Sequence, residues 1–204
     1  MSGLAEKRKE LVDAITREAI FEGAVAVLTK YGLDGATMDR VAEAAGIAKG
    51  SLYKYFRTKK ELLQFVHNRV VEPVQEALRH LVEEEQCPAP EKLTRITRRW
   101  REHLMDNRPL FEFLINDRTA KATLLDSEMT ARALAVQQVA AIIEQGIKEG
   151  TFRPVDPLLV GDMFVAAAIG MVEHEFRSGQ VRAVDEAVES LIDVFINGLA
   201  VRKS

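Results

Sequence analysis

Apolar residues recur along this chain at intervals of three and four, not in the strict alternation of a half-buried strand, so the pattern predicts an all-α protein. A first helix is read over about Thr16–Tyr31, where Ile20, Ala24, Val27, Leu28 and Tyr31 share a face and Gly32 supplies a stop. No breaker in Lys7–Val12 prevents an earlier start. Thr37 is a good N-cap for a short second helix with Met38, Val41, Ala42 and Ala45 on one face, ended by Gly46. A third short helix runs from Lys49 to about Phe56. Thr58 and Glu61 then form a capping box, with Glu61 reaching back to Thr58, at the head of a long fourth helix. That helix shows Leu62, Leu63, Val66, Val70, Val74, Leu78 and Leu81, with Pro73 in its middle predicting a bend; the alternative is that Pro73 starts a new helix. Further helices are predicted at about 91–107, 109–123, 127–148, 157–177 and 184–201, with Asp156 capping and Pro157 at a first helical position.

Composition changes little in this picture. The 204 residues suffice to bury a core without disulfide or metal staples. The single cysteine, Cys87, builds neither a disulfide framework nor a thiolate zinc site, which suits a reducing cytosol and predicts a cytoplasmic protein. The first residues are charged, and no segment reads as an uninterrupted membrane span, so neither signal peptide nor membrane anchor is expected. A domain boundary is expected near residue 62, giving a small domain 1–62 and a larger helical domain 63–204.

Charge changes the picture more. The formal net charge is −3, but the sign is unevenly distributed: residues 1–60 hold 11 Lys and Arg against 8 Asp and Glu. Between Lys49 and Lys60 stand Lys49, Lys54, Arg57, Lys59 and Lys60 with no acidic residue, interleaved with Tyr53, Tyr55 and Phe56. On its own such a cluster is equally a solvated basic face. Here it lies on the second of two short helices joined by a turn at Gly46, a helix-turn-helix arrangement. Phosphates require cations and neutral donors to fix register, and base edges require a few groups at the start of the second helix. Lys49, Gly50 and Ser51 occupy that start: an ammonium for guanine acceptors, a close backbone approach and a versatile hydroxyl. Thr37, Tyr53, Tyr55, Lys59 and Lys60 supply hydroxyls and ammonium groups for phosphate oxygens.

At these residues the chain resembles a known family. Residues 17–63 are similar to the DNA-binding domain of TetR-type regulators, in the segments Thr37-Met38-Asp39-Arg40-Val41-Ala42, Ala45-Gly46-Ile47, Gly50-Ser51-Leu52-Tyr53-Lys54-Tyr55-Phe56 and Lys59-Lys60-Glu61-Leu62-Leu63. The resemblance implies base or backbone contacts from Lys49, Gly50 and Ser51 and phosphate contacts from Thr37, Tyr53, Tyr55 and Lys59. It implies a homodimer on a pseudo-palindromic operator, repression by blocking polymerase, and release by a small effector bound in the C-terminal domain. Ala48 departs from the family, which often places a capping serine there.

The rest of the chain carries no HExxH, GxSxG, GxGxxG or phosphate-loop motif, and His67, His80, His103 and His174 do not pair at metal-ligand spacing, so no enzyme activity, metal or cofactor is expected. Lys7, Arg8 and Lys9 read as a minor-groove arm or as a frayed solvated helix. Trp100, Leu104, Phe111, Leu114 and Phe164 are the candidate lining of an effector cavity, or simply core. The last two helices are the expected dimer interface, through Gly161, Phe164, Ala168, Val188, Leu191 and Phe195. The expected partners are double-stranded operator DNA, a second copy of the chain and a small-molecule effector, with no membrane. An activator, or a regulator answering to a protein partner, is the alternative.

Overall fold

The computed structural model describes residues 2–199, and the described residues form nine helices in chain order. These are α1 (Ser2–Gly35), α2 (Met38–Ala44), α3 (Lys49–Tyr55), α4 (Lys59–Glu83), α5 (Ala89–Asp106), α6 (Arg108–Asn116), α7 (Arg118–Lys148), α8 (Pro157–Ser178) and α9 (Val184–Leu199). The first helix starts far earlier than residue 16, because nothing between Ser2 and Thr16 breaks it. Gly32 interrupts it as expected, with φ 66 and ψ 174, a backbone region that only glycine enters freely. The pattern carries the last helix to 201; its end past residue 199 lies outside the described residues.

Two compact units result among the described residues, one made of residues 2–69 and 109–125, the other of 70–108 and 126–199. In the first, Ile20, Ala24, Val27 and Leu28 of α1, Val41 and Ala42 of α2, Leu52 of α3, Phe56, and Leu62, Leu63 and Val66 of α4 are buried as one apolar core. The sequence pattern leaves 109–125 in the C-terminal part, yet this segment folds with the N-terminal helices. The same pattern predicts one helix to about 123. Instead the segment breaks at Asp117, whose Oδ1 accepts from Ala120 N at 2.9 Å and caps α7, while Oδ2 accepts from Leu33 N at 2.8 Å.

In the second unit, Leu93 and Ile96 of α5, Val139, Ile142 and Ile143 of α7, Phe164 and Ala168 of α8 and Leu191 of α9 close around Phe152. Asp156 caps α8 by accepting from Leu158 N and Leu159 N, with Pro157 at the first helical position as expected. Pro73 lies inside α4 without ending it, so it does not begin a new helix, although it cannot donate to the Arg69 carbonyl.

Two expectations are corrected here. Helix α8 is, among the described residues, long and apolar enough to cross a membrane by length and composition, because its outer face is apolar as well as its inner one; 22% of that stretch is buried. The residues expected at the dimer interface face inward instead. Gly161, Phe164, Ala168, Val188 and Leu191 are buried within their own subunit. Phe195 is half-buried, edge-on to Phe164 at 4.9 Å. A Cβ on Gly161 would stand 3.0 Å from the Val136 carbonyl oxygen, so this glycine lets α8 approach α7. The broad stripe on α9 is covered by its own neighbours, α5 and α8, which is why its breadth does not signal a second chain.

Candidate nucleic-acid interface

The turn between α2 and α3 is fixed by local chemistry. Thr37 accepts from Arg40 N to open α2. At its far end Ile47 N donates to Ala42 O at 3.0 Å and Gly46 N to Glu43 O at 3.1 Å, with Gly46 at φ 66. That is a Schellman ending, which needs the left-handed residue a glycine supplies. Ala48 then opens α3 with no side-chain cap; Ser51 N turns back to the Ala48 carbonyl at 2.8 Å. At the head of α4, Glu61 N donates to Thr58 Oγ1 at 3.1 Å, but the Glu61 carboxylate takes the Arg57 N–H at 2.8 Å, not that of Thr58.

These caps orient α3. Leu52 and the Phe56 that follows it point into the core, where Phe56 lies 4.8 Å from Phe65. The opposite side of α3 exposes Lys49, Gly50, Tyr53 and Lys54, with Ser51 half-buried at its edge. Thr37 and Lys60 are exposed too. The face that reaches solvent is thus cationic and hydroxyl-bearing, and the core holds it rigid from behind.

Besides Thr37, three of the expected contact residues have partners within the chain. Lys49 Nζ sits 2.6 Å from Asp39 Oδ1, and hydrogen bonding to that carboxylate raises the ammonium pKa above its ordinary value. Both side chains are more than half exposed, so a phosphate or base can displace the pair at little cost. Tyr55 is half-buried, its hydroxyl held by Asp13 and its ring 5.3 Å from the Arg17 guanidinium. The hydrogen bond from Arg17, then that from Tyr55, holds the Asp13 carboxyl below its ordinary value. Lys59 Nζ donates to Leu33 O at 2.7 Å. Leu33 is therefore gripped at both backbone groups, its carbonyl by Lys59 and its N–H by Asp117. Four residues on stands Thr37, the cap of α2. Sequence reasoning misses Asp117; the polar pair Asn116-Asp117 is its one local signal.

The candidate effector residues divide between the two units. Trp100, Leu104 and Phe164 belong to the second, and Phe111 and Leu114 to the first. Leu104 and Leu114 are buried, and Trp100 is half-buried against the core of its unit.

Residues 20–66 match the family model described as bacterial regulatory proteins, tetR family. Over 194 residues the chain is 23% identical to the uncharacterized HTH-type transcriptional regulator YhgD of Bacillus subtilis strain 168, covering 88% of this chain and 94% of that one. It is 22% identical to the HTH-type transcriptional repressor KstR2 of Rhodococcus jostii strain RHA1, covering 98% of this chain and 94% of that one. Among solved structures, SmeT, the repressor of the Stenotrophomonas maltophilia multidrug efflux pump SmeDEF, superposes with a TM-score of 0.79 at 17% identity, over 91% of this chain and 90% of that chain. SmeT is also known as a complex with triclosan.

Proposed function

Because the chain belongs to the TetR family of bacterial transcriptional regulators, we propose that it is a ligand-responsive repressor that binds a pseudo-palindromic operator as a homodimer. The observation that carries this is the exposed face of α3, where Lys49, Gly50 and Tyr53 reach solvent while Leu52 and Phe56 anchor the helix from behind. A helix so held enters a major groove with its first residues toward the base edges. Lys49 and Ser51 read bases there, Gly50 lets the backbone approach, and Thr37, Tyr53 and Lys60 bind phosphates. Lys59 and Tyr55 serve first to shape the head, through Leu33 and Asp13.

Two recognition helices related by a two-fold axis match two half-sites about one helical turn apart. Supporting the dimer, α8 exposes Leu159 and Met163, followed by Ala167 and Gly170, on one face, and α9 exposes Val194 beside Gly198. An apolar surface of that kind is what an obligate partner covers. The reading that the effector is a small molecule draws on SmeT, a repressor of this fold that has been solved with triclosan.

The test is selection of bound duplexes from a random library by the purified full chain. The expected result is an enriched motif with two inverted half-sites. Enrichment of no motif, or of a single unrepeated half-site, overturns the operator reading.

A further inference from the structure

Arg101 of α5 is 1% exposed and Glu175 of α8 is 0% exposed. Arg101 Nη2 donates to Glu175 Oε2 at 2.5 Å and to the Arg182 carbonyl at 2.8 Å, and Arg182 Nη1 donates to Glu175 Oε1 at 3.1 Å. Arg182 itself is exposed and also lies 3.7 Å from the Glu186 carboxylate, so the buried pair is Arg101 with Glu175 alone. Among the described residues, the buried Nε and Nη1 of Arg101 have no acceptor. A buried charged donor without an acceptor is strongly unfavourable. One anion with paired oxygens satisfies both donors, since a guanidinium fork is shaped for such a group.

The surroundings decide what kind of anion. On α5, Leu104 and Thr97 flank Arg101 and are buried, and Ile96 belongs to the apolar core of the same unit with Phe164 and Ala168. Hydrocarbon is favoured beside such residues, and a polyhydroxylated or highly charged molecule is not. We propose that Arg101 anchors the carboxylate of an amphipathic organic acid, which is the effector, with its hydrocarbon part lying among the apolar residues of the second unit. The free Nε and Nη1 of Arg101 present two donors, which the two oxygens of a planar carboxylate match. This inference rests on the reading of the chain as ligand-responsive.

Trp100 is the one tryptophan of the chain and precedes Arg101, so its fluorescence reports the site without DNA. The probes are even-numbered straight-chain acids from hexanoate to hexadecanoate, below micelle formation, with decanol and decyl phosphate for comparison. At least one acid is expected to give a saturable change, with the alcohol of equal length binding at least about tenfold more weakly. Arg101→Gln alone leaves the buried Glu175 carboxylate with Arg182 as its one cation, so the informative variant is Arg101→Gln/Glu175→Gln, which removes the buried pair together. It is expected to lose at least about tenfold in affinity for the acid and little for the alcohol. The proposal is overturned if no acid binds, if decanol matches decanoate, if decyl phosphate binds more tightly than decanoate, or if the folded double variant keeps full affinity. Should that variant not fold, the acid-to-alcohol ratio of the natural chain still decides. Operator titration with the bound acid is read separately: binding without DNA release leaves the Arg101 site standing and counts against the induction reading.

Discussion

Lys49 is already paired with Asp39, so in the proposed DNA complex the worth of its contact is the difference between Asp39 and whatever replaces it. Because that ion pair is exposed, the exchange with a phosphate or guanine edge leaves most of the new interaction as net gain. Lys49→Ala is therefore expected to cost about 1–3 kcal/mol at the preferred operator and to relax preference at one position. Tyr53→Phe removes one exposed hydroxyl and should weaken all sequences by a similar factor. Selection from a random duplex library with each variant separates the two. A Lys49→Ala protein with undiminished preference at every position would show that this side chain reads no base.

Among the elements, the pairing of α1 with α2 depends on a residue with no side chain. A Cβ on Gly23 would lie 2.7 Å from Ala45 N, a backbone atom at the end of α2 that cannot move aside without opening the helix-turn-helix. Alanine raises helix propensity by about 1 kcal/mol, but overpacking against backbone costs about 1–3 kcal/mol. Gly23→Ala should thus lower the melting temperature and operator affinity together, measured by calorimetry and titration; a more stable variant would show that α2 yields easily. Nothing in the sequence around Gly23 announces this, since the partner lies far along the chain, beyond the end of α2. By contrast, the Thr37 cap and the Gly46 turn are legible because each is decided by near neighbours in the sequence. The break at Asp117 is not, because Leu33, which it holds, is distant in the chain. The inward and outward faces of α8 are hard to tell apart for another reason. Apolar residues ring that helix, so periodicity alone does not say which side, Phe164 or Met163, faces the core.

For the whole molecule, the exposed and buried faces of α8 and α9 make opposite predictions. Met163 and Val194 are 54% and 69% exposed, whereas Leu191 is 7% exposed. Met163→Glu and Val194→Glu should leave the subunit folded, separate the proposed dimer in sedimentation and weaken operator binding. Leu191→Glu should instead unfold the second unit, seen as lost helical circular dichroism. A Met163→Glu/Val194→Glu protein that still sediments as a dimer would place the interface elsewhere. The make-up of the first unit has a consequence for how the protein is born. Asp117, which holds Leu33, is synthesised 84 residues after it. At about 5–20 residues per second the ribosome delivers it roughly 4–17 seconds later. A nascent chain that has exposed α1 to α4 therefore still lacks one of the two grips on Leu33, and the first unit is completed only after Asp117 has been translated.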